Sequence, residues 1–378
     1  MKRLIYLLIV AMLFGACRSD DEQTPDVVKH RNVVFISSLG GPGDNGYNDL
    51  LMEAEVAFMT EHPEIEAHFL QPKSLEGAKT IVNAFTYIEK CDSLLFVLNG
   101  SEYAGVIQAP QDLDSITKKG GPSDIHVLQF EGRADELPTT TSFNVQRYGA
   151  SYIAGRLASG VPVLVLAALK GDEQVDAAVQ GFLDGYSVES TYTPHVHYLS
   201  DDVRGFDMPN AAMQVCDSVV RQVFPDIDFY GKVIPFQYPG FCIFPVAGGS
   251  NMGAYRYVSA LPPELMINAI GMDKDYSTFS GAIPFSLTVP IRELVLEHLK
   301  KWVRNEPWPQ QQSYGLEADL HADIIFSSLP GINILHWLDP DNNSQPVQSQ
   351  LLNKRLQEFR QEAIVKEKAY EEKLKIRN

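Results

Sequence analysis

The chain has 378 residues, 45% of them hydrophobic and 21% charged, an ordinary globular balance with room for two lobes at ~100–200 residues per domain. The formal net charge is −17, and no run of lysine and arginine interleaved with aromatics offsets it. A nucleic-acid partner is thereby excluded, because such a partner leaves a basic face as its footprint.

At the N-terminus, Lys2 and Arg3 precede an apolar run, Leu4 to Phe14, too short to stay in a bilayer as a spanning helix. Phe14-Gly15-Ala16-Cys17 follows, small residues directly before a cysteine. This resembles a bacterial lipoprotein signal over residues 1–17, with Cys17 becoming the lipidated first residue of the mature chain. Phe14 stands where such signals usually carry leucine, so an ordinary secretory signal with an incidental cysteine stays open. Several acyl chains would hold the protein stably at a membrane. Residues 18–31 are polar, contain Pro25, and read as a flexible tether. Cys91, Cys216 and Cys242 show no C-x-x-C spacing, and an odd number leaves at least one thiol unpaired. Buried thiols are expected, with a Cys216–Cys242 bridge left open.

From residue 32 the chain alternates strand-like and helix-like segments. Strands are expected at 32–38, 66–70, 93–98, 125–130, 162–167, 195–199, 241–246, 266–272 and 282–287. Helices are expected at 49–60, 75–89, 147–158, 174–186, 210–224 and 291–303. This alternation predicts an α/β fold with doubly wound, mainly parallel sheets and helices on both faces. Two such sheets would use about five strands each. Ligands of such sheets bind beyond the carboxyl ends of the strands, where Asp44, Asn99, Gly248 and Asp273 fall. In the tail, Leu352, Leu356, Phe359, Ala363, Tyr370 and Leu374 recur near a ~3.5-residue spacing. That predicts a long charged amphipathic helix within 346–378, its apolar face on its own domain rather than on another chain.

The glycine-rich turn after the first strand carries the chemistry. Gly41-x-Gly43-x-x-Gly46 matches a dinucleotide fingerprint, but Asp44 would repel a pyrophosphate and Pro42 removes a backbone donor. An acid, an aromatic and an amide at Asp44, Tyr47 and Asn48 suit a neutral, hydroxyl-rich ligand, which a carboxylate can bond twice and a ring can stack on. His195-x-His197 places two rings on one face of a strand, but with no third ligand a structural role is expected and no metal site. Gly249-Ser250-Asn251-Met252-Gly253 fails the G-x-S-x-G pattern, because the serine directly follows the first glycine. No H-E-x-x-H, phosphate-loop or zinc spacing is present. No catalytic residue and no cofactor is expected.

Five stretches in order resemble the basic membrane protein family of bacterial substrate-binding lipoproteins, which includes purine nucleoside receptors. They are Asp44-Asn45-Gly46-Tyr47-Asn48; Ser142-Phe143-Asn144 with Tyr148 to Gly155; Phe244 to Gly253; Ile270-Gly271-Met272-Asp273; and Tyr314-Gly315-Leu316. The resemblance implies a two-lobed periplasmic-binding fold of type I, with three chain crossings between lobes. It places residues 32–147 and 283–306 in lobe 1 and residues 148–282 and 307–345 in lobe 2. It also implies that Asp44 and Asn48 bond a base, Tyr47 and Phe206 stack on it, Asp273 holds ribose hydroxyls, and Gly248 and Gly249 admit the ligand close to the backbone. The protein implied is a non-enzymatic, lipid-anchored solute-binding protein of the cell envelope that captures a nucleoside-like small molecule for an ABC permease. The family's sugar-contacting lysine is missing: Phe285 to Pro290 holds none, and Glu131 stands where the family often has aspartate. A ligand sensor without transport stays open, as does a nucleoside-processing enzyme using Asp44 and Asp273.

Overall fold

A computed structural model describes residues 30–88, 90–103, 121–131, 140–225, 239–276, 278–327 and 345–377. Cys17, the signal segment and the tether up to residue 29 lie outside the described residues, and no helix among those described is long and apolar enough to cross a membrane. The first half runs β1 (Arg31–Ile36), α1 (Tyr47–Glu61), β2 (Glu66–Leu70), α2 (Leu75–Ile88), β3 (Ser93–Leu98), β4 (Asp124–Phe130), β5 (Thr140–Val145), α3 (Tyr148–Ala158), β6 (Val163–Ala167) and α4 (Glu173–Tyr186). It continues with β7 (His195–Tyr198), α5 (Pro209–Val223), β8 (Phe241–Val246), α6 (Asn251–Ser259), β9 (Ile267–Ala269), β10 (Gly271–Asp273), β11 (Phe285–Thr288), α7 (Ile291–Val303), β12 (Gln311–Tyr314), β13 (Asp323–Phe326) and α8 (Gln345–Arg377).

The central strands are apolar at nearly every position, and a strand of that kind needs cover on both faces. Val33 and Phe35 of β1 point into one core with Leu51 and Phe58 of α1 and Leu294 and Trp302 of α7. Val34 and Ile36 point the other way, onto Ala78 and Val82 of α2. Lobe 1 is thus a six-stranded parallel sheet, in the order β12-β5-β4-β3-β1-β2. Lobe 2 repeats the scheme in a four-stranded parallel sheet, β7-β6-β8-β9. There Val163 and Val165 face α4 while Leu164 and Leu166 face α5 and α6. The expected single strand 266–272 divides at Ile270. Its first half finishes the four-stranded sheet, and its second half starts a three-stranded one, β10-β11-β13, in which β13 is antiparallel to β11.

The chain changes lobe three times: after β5 at Gln146 and Arg147, between β11 and α7 at Val289 and Pro290, and between β12 and β13. Two expected boundaries are corrected here. β12 lies in 307–345, assigned to lobe 2, yet it pairs parallel with β5 at the edge of lobe 1. β11 lies in 283–306, assigned to lobe 1, yet it pairs with β10 and β13. The strand Gln311-Gln312-Ser313-Tyr314 has no apolar alternation to announce it; backbone pairing with β5 makes it a strand.

Every residue of α3 is buried. Helices α3 and α4 meet backbone to backbone: a Cβ on Gly155 would lie 2.1 Å from the Phe182 carbonyl oxygen, and one on Gly185 2.1 Å from that of Tyr152. The Tyr148 to Gly155 stretch is therefore a packing motif. Cys216 and Cys242 are buried free thiols in separate cores on opposite faces of the lobe 2 sheet, so no bridge joins them. His195 and His197 lie on the edge strand β7, and no metal-binding group of His, Cys, Asp or Glu forms among the described residues. Helix α8 lays Phe359 and Ala363 into the central core and docks on α3, as expected of a tail helix that packs on its own domain.

One buried acid lies behind the first strand end. Asn99 turns away from the inter-lobe space and donates from Nδ2 to Glu55 Oε1 at 2.5 Å. Burial pushes the Glu55 carboxyl up to about 8, only partly opposed by that hydrogen bond. An acid raised on folding stabilises the fold below its unfolded value and loses that contribution as pH climbs through the folded one. Stability should therefore fall from near pH 5 to pH 8. A Glu55→Gln variant should remove this slope, gaining at pH 8 up to an upper bound on the order of 4 kcal/mol. Urea unfolding at both pH values checks this.

Candidate functional site

The site begins where β1 hands over to α1. The first amides of a helix have no intrahelical partner. Here Asp44 satisfies two of them and the amide just before the helix: its Oδ1 accepts from Gly46 N at 2.9 Å and Asp49 N at 3.2 Å, and its Oδ2 accepts from the backbone N and the Nδ2 of Asn48, each at 3.0 Å. Four donors fill the roughly four acceptor positions of a carboxylate. The ground on which a pyrophosphate would sit is thus occupied by the protein's own anion, which disposes of the dinucleotide reading. Asp44, expected to bond the ligand, also shapes the loop and orients Asn48. Burial raises its carboxyl, while these amides pull it back.

All seven nominated residues, Asp44, Tyr47, Asn48, Phe206, Gly248, Gly249 and Asp273, line a single cavity of about 340 Å³ between the lobes. That volume is at the lower end of the ~300–1,000 Å³ typical of small-molecule sites. Tyr47 enters from the first turn of α1, and Phe206 from a short 3₁₀ turn, Val203–Asp207, of lobe 2. Gly248 and Gly249 also give room for close packing between loops. A Cβ on Gly248 would stand 3.1 Å from the Phe206 ring, so this glycine lets two loops of lobe 2 pack on each other, and one on Gly249 would stand 3.3 Å from Asp44 Cβ, so that glycine lets a loop of lobe 2 approach a loop of lobe 1.

The floor holds a charge cluster. Arg147 Nη1 donates to Glu131 Oε2 at 2.9 Å, to Val145 O at 3.3 Å and to Gln174 Oε1 at 3.2 Å. Its Nη2 stands 3.6 Å from Asp273 Oδ1, and its guanidinium carbon lies 5.9 Å from the Tyr47 ring centre. Burial would lower the Arg147 guanidinium, but Glu131 and Asp273 more than offset it and hold it above its ordinary value. Burial raises both carboxyls, with Arg147 opposing. Burial also drives the Tyr47 phenol well upward. Glu131 (φ 55°), Asp273 (φ 72°) and Asn45 (φ 52°) all adopt left-handed backbone. Such strain in non-glycine residues concentrates at ligand clamps. Arg147 and Gln174 escaped the sequence reading: β5, which ends two residues before Arg147, was not expected as a strand, and both residues fell at the starts of expected helices.

Contacts across the cleft show the lobes closed. Asn45 of lobe 1 accepts at its carbonyl from the Tyr276 hydroxyl and at Oδ1 from Lys274 Nζ at 2.7 Å; Ser101 donates to Asp172 Oδ2 at 2.7 Å. Around the cavity, Asp44, Glu102, Glu131, Asp172, Asp207 and Asp273 outnumber Arg147 and Arg256. This field disfavours an anion.

No protein-family model and no curated protein matches the chain. Solved structures do. An ABC transporter solute-binding protein from Aeropyrum pernix K1 superposes with a TM-score of 0.65 at 15% identity, over 89% of this chain and 92% of its own. A transcriptional activator of the comK gene from Bacillus halodurans gives 0.54 at 14% identity, over 83% of this chain and 100% of its own. A periplasmic solute-binding protein from Actinobacillus succinogenes 130z with bound D-allose gives 0.54 at 14% identity, over 79% and 97%. At these identities the likeness carries the fold: this chain has the two-lobed type I periplasmic-binding architecture.

Proposed function

We propose that the protein is a solute-binding protein that captures a small neutral ligand, a purine nucleoside, in the inter-lobe cleft and presents it to an ABC-type permease. Cys17 anchors it by lipid to a membrane of the cell envelope. The observation that carries this reading is the convergence of Tyr47, Asn48, Phe206, Gly248, Gly249 and Asp273, drawn from both lobes, on one cavity closed by contacts across the cleft. A ring between Tyr47 and Phe206 gains stacking, and the Asp273 carboxylate can accept from a diol. Lobe closure excludes water and is itself the signal, since only the closed form presents both lobes together. The neighbours that carry printed roles in ABC transport support uptake. The activator from Bacillus halodurans favours a second reading, a ligand sensor that hands nothing to a permease. Against the enzyme reading, the Asp44 oxygens already accept from the amides of Gly46, Asn48 and Asp49.

Mass spectrometry of ligand released from the denatured protein tests the proposal, followed by thermal shifts with nucleosides. Saturation at ~100 times Kd should stabilise by about 2.7 kcal/mol. Asp273→Asn should leave the free protein as stable or more so, because asparagine tolerates the left-handed backbone and a half-paired buried charge disappears. The same variant should lose about tenfold or more in affinity, as expected for a charged acceptor removed. A ligand-induced shift unchanged in Asp273→Asn would count against the site.

A further inference from the structure

Among the described residues lining the cavity, three buried polar atoms lack a protein partner: the Tyr47 hydroxyl, Asn48 Oδ1 and Glu131 Oε1. Glu131 is only 6% exposed. Two of the three atoms can only accept. The Asn48 orientation is set by its neighbour, because its Nδ2 must face the Asp44 carboxylate and its oxygen is left facing away. The Nη donors of Arg147 on the same floor are committed, Nη1 to three protein oxygens and Nη2 toward Asp273, which leaves the Tyr47 hydroxyl as the unpartnered group that can also donate. Two carboxylates against one guanidinium also leave the cluster short of positive character. Buried acceptors without donors are costly, and a site built of them rejects a ligand that brings another acceptor.

We propose that the ligand carries an amino group that enters first and donates to Glu131 Oε1 and Asn48 Oδ1. On the nucleoside reading, on which the ligand class rests, this selects amino-substituted purine nucleosides over amino-free ones. Glu131 is then a specificity-determining residue that touches the ligand. Arg147 positions it.

Matched pairs test this by calorimetry on the full chain: adenosine against purine riboside, guanosine against inosine, and glucosamine against glucose. The amino member of at least one nucleoside pair should bind about tenfold or more tightly, the worth of one hydrogen bond to a charged acceptor. In Glu131→Gln the amide oxygen must face Arg147, so its nitrogen takes the place of Oε1 and offers a donor. The preference should then vanish or invert. Asn48→Ser leaves the Arg147 cluster intact and should cut the preference by about threefold or more, as loss of one neutral acceptor does. Circular dichroism and the melting temperature of the free variants separate misfolding from lost selectivity. Nucleosides binding without preference for the amine would overturn the inference and leave the nucleoside reading standing. Glucosamine preferred over glucose, with no nucleoside bound, would keep the amine and end the nucleoside reading. Glucose bound as well as glucosamine, or no binding in any pair, would end both.

Discussion

Replacing Arg147 by methionine should destabilise the protein by about 3–5 kcal/mol at neutral pH, the usual cost of breaking a buried ion pair from one side. Methionine fills much of the same space without charge, so the loss measures two stranded carboxylates more than a cavity. Glu131 would lose its 2.9 Å donor and Asp273 its cation at 3.6 Å, with both side chains still buried. Their carboxyls, already raised by burial, would rise further once the opposing guanidinium is gone.

The sign of the pH dependence follows. An acid whose folded value exceeds its unfolded value stabilises the fold while protonated and withdraws that contribution as pH rises through the folded value. The Arg147→Met protein should therefore lie close to wild type near pH 5 and fall steadily behind toward pH 8. Adding Glu131→Gln should recover part of the loss at pH 8 and little at pH 5, because it removes one of the two stranded charges. Urea unfolding of wild type, single and double variants at both pH values checks all of this. A pH-independent deficit would mean that packing, not charge, holds the cluster.

The parts of the fold that could be read from sequence were those where one residue type decides the outcome. The strands 66–70, 93–98 and 241–246 and the helix 291–303 agree end to end with β2, β3, β8 and α7; β3 and β8 are short runs buried along their whole length, and α7 repeats its buried apolar face. β5 and β12 were missed because Thr140 to Val145 mixes polar and apolar residues, and Gln311 to Tyr314 is mostly polar. Only pairing with a neighbour tells either from a loop. α6 was passed over because Asn251 to Ser259 follows a glycine pair that reads as a turn. The candidate site was legible as a set of strand-end residues, but their division of labour was not. Nothing in Asp-x-x-Tyr-Asn tells an acid that bonds a ligand from one that satisfies the helix behind it. The position of Asn48 Nδ2 and three amides around Asp44 shows only that this acid satisfies the start of the helix. Arg147 sits at a strand end, yet it gains its meaning from Glu131 and Asp273, residues 16 and 126 positions away in the chain.

A second large effect should arise outside the cavity lining, at Glu367. This side chain of α8 is 4% exposed, and its two oxygens serve different crossings between the lobes. Oε2 accepts from Gly149 N at 2.9 Å, in the first turn of α3 just after the first crossing. Oε1 accepts from Leu316 N at 2.8 Å, on the passage from β12 to β13. Glu367→Ala would orphan both buried donors, at roughly 1–3 kcal/mol each. Glu367→Gln keeps the shape but has one acceptor oxygen and an amide that faces the other N–H, so it should lose about half as much. The rest of the contact would survive in both variants: Tyr148 still stacks on Tyr370 at 4.6 Å, Arg360 still donates to Leu316 O at 2.9 Å, and Phe359 stays under Arg156. The damage should therefore be local before it is global. Hydrogen exchange at the Gly149 and Leu316 amides should accelerate while the β3 and β8 amides stay protected up to the global unfolding limit. Equal acceleration everywhere would show that α8 contributes only bulk stability. Protection unchanged at both amides would show that the carboxylate does not hold the crossings.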